Sequence, residues 1–199
     1  MPNLIGSAAN QVSTNGMLGT AAFMEPQTIV KNGFVGLTSL AVITPTVSAN
    51  IDVLTGFSSA YSNYLIIGEG IRFTTDEGIS FRLANAGVVD TASNYHNTPI
   101  SGGTSSATST ITVTTGTIRT AGTGCTFEIS ILNANEATQP KLVQGQAAWM
   151  STVAGPVFNS LPILSTYNGG ICTGFRLYSS LGGNFAAQGK IRVFGYNNI

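Results

Sequence analysis

From residue 49 onward apolar and polar side chains alternate in short runs, the period of a strand with one buried and one wet face. Thr126–Ile131 (T-F-E-I-S-I) is the cleanest run and predicts Phe127, Ile129 and Ile131 inside with Glu128 outside. Ile79–Leu83 repeats the pattern around Arg82, and Ile71–Phe73 around Arg72. The last stretch, Ile171–Tyr196, reads as a closing hairpin. In it Phe175 and Leu177 flank Arg176, Ile191 and Val193 flank Arg192, and a glycine-rich link joins the two runs. Lys141–Met150, which carries Trp149, and Ile111–Thr120 add further strands, and Tyr167-Asn168-Gly169-Gly170 is a strong turn. Roughly eight strands are predicted, with no long amphipathic helix among them. Antiparallel strands in that number close as a two-sheet sandwich or a barrel. No unit of fixed length repeats, which excludes a propeller or a solenoid.

Residues 1–48 do not share this pattern. Gly6, Gly16 and Gly19 interrupt a small, polar stretch, Pro26 breaks any helix begun at Leu18, and Asn32-Gly33 and Pro45 are further breaks. Leu4, Ile5, Met17, Leu18, Phe23 and Met24 are isolated apolar anchors. The reading is an extended arm, residues 1–48, that cannot bury itself and lies on another surface. Asn85–Thr110 reads as a long loop, with Tyr95 and His96 in it.

Charge changes the picture. Eight acidic and eight basic residues cancel, and charged residues are 8% of the chain, against about 25% in ordinary domains. So little charge protects a lone monomer poorly and suits a subunit of an assembly. No basic run exists to neutralise phosphates, which argues against nucleic-acid binding, and no apolar stretch is long enough for a membrane helix. The first residues lack the basic region and continuous apolar core of a signal peptide, which predicts synthesis in a cytoplasm. Cys125 and Cys172 are then expected to be reduced, buried thiols.

Catalytic chemistry finds no constellation. Asp76 and Glu77 are the only adjacent carboxylates and fall in a turn, where a solvated tip is expected. His96 is the only histidine and has no matched Ser, Cys or acid in the pattern around it. Glu69 and Glu128 are the strand carboxylates, and nothing pairs them as glycoside hydrolysis requires. No catalytic residue, metal ligand or cofactor is expected. Tyr95, His96, Trp149 and Tyr167 stand as candidate surface or ligand contacts, the aromatics as platforms for a sugar.

Two patterns carry a resemblance. Asn10-Gln11-Val12 through Asn15-Gly16-Met17-Leu18-Gly19-Thr20-Ala21-Ala22-Phe23 resembles the N-Q-(V/L)-P-x-N-x-x-L-G-x-(M/L)-A-F segment of many tailed-bacteriophage virion proteins, prominent in phages of marine bacteria and cyanobacteria. Ser13 departs from it, standing where the family often has Pro. The second pattern runs from Tyr61-Ser62-Asn63-Tyr64 through Ile79–Leu83, Phe127–Asn133 and Thr173–Tyr178 to Gly189-Lys190-Ile191-Arg192-Val193-Phe194-Gly195-Tyr196. It is similar to the jelly-roll-type domain of phage tail-fibre and minor virion proteins, whose last strand reads G-x-(I/F)-x-(I/L)-(Y/F)-G.

The resemblance implies a jelly-roll-like antiparallel β-sandwich over residues 49–199. It implies a non-enzymatic structural subunit of the virion, a homo-trimer or ring whose arm docks on a neighbouring virion protein. A tail-associated role (fibre, baseplate or adaptor component) leads, with a possible host-surface glycan as partner. A head decoration or cement protein is the alternative within that class, and a carbohydrate-binding module is the alternative outside it. Arg176 and Arg192, on the wet side of their runs, are the expected inter-subunit contacts.

Overall fold

The structure, a computed structural model, describes residues 36–97, 106–151 and 157–196. Leu4, Ile5, Met17, Leu18, Phe23 and Met24 therefore lie outside the described residues. Among the described residues there is no helix, and thirteen strands form two antiparallel sheets packed as an all-β sandwich.

The larger sheet runs, in spatial order, β1 (Thr38–Ile43), β13 (Lys190–Tyr196), β3 (Asn63–Ile71), β9 (Cys125–Leu132), β10 (Lys141–Ser151), β11 (Val157–Tyr167), β6 (Tyr95–Asn97) and β7 (Ser106–Thr108). The smaller one runs β2 (Asn50–Val53), β12 (Cys172–Ser179), β4 (Ile79–Asn85) and β5 (Val88–Val89), with β8 (Ile111–Thr112) also paired to β4. The chain passes from one sheet to the other again and again, and among the described residues only β9, β10 and β11 form a three-stranded meander. Such crossing knits both sheets to one core.

The alternating runs fold as their periodicity predicts. Phe127, Ile129 and Ile131 are buried and Glu128 exposed; Phe175, Leu177, Ile191 and Val193 are buried, with Arg176 and Arg192 on the outer faces. The inward residues of both sheets meet in one core. At its centre Phe57 stacks on Tyr64 with ring centroids 3.8 Å apart, and Phe175 packs on Phe81 at 5.6 Å. Gly145 lets β10 approach β9, since a Cβ there would collide with the Glu128 carbonyl. Cys125 and Cys172 are free and buried, and burial pushes both thiols up to about 12.

Four expectations change. Ile171–Tyr196 is not a hairpin: β12 lies between β2 and β4 in the smaller sheet, while β13 lies between β1 and β3 in the larger. Residues 180–189 form an arch over the end of the sandwich, pinned by Phe185, which is fully buried and stacks on Phe73 at 4.5 Å. Its last residue, Gly189, has φ 83° and no room for a Cβ against the carbonyls of Glu69 and Gly70. Secondly, twelve strands rather than eight begin after residue 48, and β1 lies within the stretch read as arm, paired along β13. Thirdly, Asn85–Thr110 is not one loop; Ala86 (φ 49°) and Gly87 (φ 77°) make a two-residue hairpin turn, and β6 and β7 extend the larger sheet. Lastly, Glu77 is buried rather than solvated, accepting hydrogen bonds from Ser179 Oγ (2.6 Å) and Thr75 Oγ1 (3.3 Å).

Candidate functional site

The aromatic residues expected at the surface are inside. Tyr95 and Tyr167 face each other across β6 and β11, their rings 4.9 Å apart and fully buried. Their tips are satisfied within the fold. Tyr167 Oη donates to Asp90 Oδ2 at 2.7 Å, and Tyr95 Oη lies 2.9 Å from Leu83 N, from which it accepts. Burial pushes both phenols well above the ordinary tyrosine range, Asp90 adding to the effect at Tyr167. For Asp90 burial acts to raise the carboxyl. Hydrogen bonds from Asn94 Nδ2, Tyr167 Oη and Ala92 N outweigh it and hold Asp90 below the usual carboxylate range. This cluster latches the β5–β6 connection onto the sandwich. It does not present a platform to a sugar.

Trp149 is 3% exposed on the inner face of β10, opposite Cys125 and Asn159. An inward position on a central strand dictates that fate. His96 alone of that group is half-buried on the outer face, between Thr166 and Ala107. The structure thus brings Tyr95 and Tyr167 together in the core, leaves His96 apart on a sheet face and places Trp149 elsewhere in the interior.

Periodicity also missed Lys141, which is fully buried. Its Nζ donates to the carbonyls of Gly169 (2.9 Å) and Gln139 (3.1 Å), tying two turns together. Nothing in the sequence around Lys141 signals this, since the Gly169 carbonyl is brought to it by the fold from 28 residues away. Among the described residues no group of three or more His, Cys, Asp or Glu is placed to hold a metal ion.

What remains open to partners is the outer face of each sheet, and the two differ in chemistry. On the larger sheet one cross-strand row reads Val42, Arg192, Ile67, Glu128, Gln146, Pro162 from β1 to β11. The next reads Phe194, Leu65, Ser130, Gln144, Leu164. Val42 is 60% and Leu164 45% exposed, and Leu65, Ile67 and Phe194 are half-buried. Arg192 pairs with Glu69 at 2.5 Å, and the arginine holds the Glu69 carboxyl below its ordinary value. A shallow depression of about 220 Å³ opens between Ile67, Glu128, Gln146, Ala148 and Ser160, where small side chains leave the sheet bare. This face is broad, sparsely charged and partly apolar, the composition of a protein–protein surface.

On the smaller sheet the outward positions of β2, β12 and β4 are Asp52, Arg176 and Arg82, in register side by side. Arg176 grips Asp52 through two bonds of 2.6 Å, which raises the guanidinium pKa further. Arg82 lies over the Tyr178 ring at 4.7 Å. Arg176 and Arg192 consequently stand on opposite outer faces and cannot serve one patch on a single subunit. No known protein family matches this chain, and no curated protein matches it either.

Proposed function

We propose that the chain is a non-enzymatic structural subunit of a phage particle, most simply a tail-associated one. It self-associates through the outer face of its larger sheet and is attached to a neighbouring virion protein by residues 1–26. The observation that carries this reading is that face: six neighbouring strands, β1 to β11 in spatial order, present Val42, Leu65, Ile67, Phe194 and Leu164 around few charges. A surface of this kind, in a chain with 8% charged residues, is stable when covered. Closed symmetry would cover it on every copy at once. The resemblance of Asn10–Phe23 and of the strand sequences to tailed-phage virion proteins names the kind of assembly.

The carbohydrate-module reading loses its stacking platforms, since Tyr95, Trp149 and Tyr167 are buried. Antibody labelling of purified particles, with a variant lacking residues 1–26 alongside, tests the proposal. Label on the tail, and loss of incorporation with the sandwich still folded, are the expected results. Particles without the protein would refute the reading; label on the head would replace the tail assignment by a decoration role.

A further inference from the structure

The outer face of the smaller sheet carries a different chemistry from that of the larger. Arg82 on β4 and Arg176 on β12 are direct cross-strand partners, and both side chains lie on the outer face. Like charges placed directly opposite oppose each other, so such a pair persists when something offsets it. Asp52 offsets one charge only, through Arg176 Nε and Nη2. Arg82 is held in place without being neutralised: Nε donates to the Ser109 carbonyl at 2.8 Å, and the guanidinium rests on the Tyr178 ring. That ring is fixed in turn by Tyr178 Oη, which donates to Thr110 Oγ1 at 2.8 Å.

Among the described residues no carboxylate forms an ion pair with Arg82. Asp90, whose charge it feels, has both oxygens engaged by Ala92, Asn94 and Tyr167. A guanidinium carries five N–H groups, and neither arginine uses more than two of them within the fold. Two half-buried planar donors are therefore pre-positioned side by side, with one positive charge left over and most N–H groups without a hydrogen-bond partner among the described residues. Their rotamers are already locked by Asp52, Ser109 and Tyr178, so little ordering is left for binding to require.

We infer that Arg82 and Arg176 form a binding site for an oxyanion group carried by an acidic saccharide, a uronate carboxylate or a sulfate ester. Bidentate pairing with a guanidinium suits both groups. The surroundings favour a saccharide over a protein: Asn50, cross-strand from Tyr178, and Thr112, cross-strand from Ser80, are exposed near the pair. They offer hydroxyl and amide partners, and no large apolar side chain of β2, β12 or β4 is exposed as an anchor. The site stands on side-chain geometry and does not depend on the virion reading, so the two fail separately.

Isothermal titration of the full chain with an oligogalacturonate, a sulfated oligosaccharide, neutral dextran and a poly-glutamate peptide tests it. Binding of at least one acidic saccharide but not dextran is expected, weakened about tenfold (about 1.4 kcal/mol) by Arg82→Gln. Arg192→Gln, on the opposite sheet, should leave it unchanged, and Arg82→Lys, which keeps the charge without the planar fork, should weaken it as well. Thermal melts confirm that each variant folds; should Arg82→Gln fail to fold, Arg82→Lys decides. No binding of either acidic saccharide overturns the inference. So does equal weakening by Arg192→Gln, unchanged binding in Arg82→Lys, or tighter binding of poly-glutamate than of both acidic saccharides.

Discussion

Single residues decide how the interior tolerates polarity. Asp90 sits at the edge of the core with its carboxylate held by Asn94, Tyr167 and Ala92, and its pKa is depressed. A depressed carboxyl contributes stability above its unfolded value, about 3.9, and loses that contribution as pH falls through the folded value. Thermal melts from pH 7 down to pH 2 should therefore show an acid limb below about pH 4. Asp90→Asn should be less stable at neutral pH and should flatten that limb; an unchanged limb would remove Asp90 from the account. Trp149 offers a second case, since its Nε1–H is buried with no hydrogen-bond partner among the described residues. Trp149→Phe keeps most of the volume and removes the orphan donor, so it should cost far less than Trp149→Ala, at about 3–5 kcal/mol. Equal losses in chemical denaturation would mean that the indole N–H has a partner after all. The same residues mark a limit of sequence reading. Tyr and Trp are amphipathic, and whether the tip meets water or a carbonyl depends on what the fold brings to it. Here Asp90, in a connection far along the chain from Tyr167, supplied the partner.

Among the elements, alternation told which side of a strand is buried but not which sheet the strand joins. Phe175-Arg176-Leu177 and Ile191-Arg192-Val193 carry the same signal, yet they end in different sheets, because the connection of residues 180–189 is long enough to arch between them. The arch is held by Phe185 against Phe73 and by Gly189 at positive φ, neither of which leaves a periodic trace. Phe185→Ala should accordingly cost about 3–5 kcal/mol in urea unfolding, although the residue lies in no strand. A loss near that of an exposed substitution would contradict the arch's role. The Ala86-Gly87 turn was hidden for a different reason: alanine at positive φ is uncommon, and Asn-Gly or Gly-Gly is the usual signature. Pro162 is accommodated in β11 on the stretch of that strand that, among the described residues, pairs with β10 alone. A proline whose nitrogen faces an open edge removes no ladder bond.

For the whole molecule, the two described sheets pack on one core and turn two unlike faces outward. The sparse charge legible in the sequence is concentrated where it does specific work: Arg82, Arg176 and Asp52 on the smaller sheet, Arg192 and Glu69 on the larger. Which face each arginine would occupy was beyond periodicity, since a period of two is the same in either sheet. Self-association through the larger sheet predicts an oligomer in solution. Ile67→Lys, which places a charge in the middle of the cross-strand row, should shift it to monomer by mass photometry without lowering the melting temperature by more than a few degrees. An unchanged oligomer would move the interface elsewhere. The most direct measurement is a side-chain-resolution reconstruction of the phage particle. A tail-associated subunit should be found on the tail, with Leu65, Ile67 and Phe194 covered by a neighbouring subunit; a particle without the chain, or with that sheet face open to solvent, would refute the proposed role.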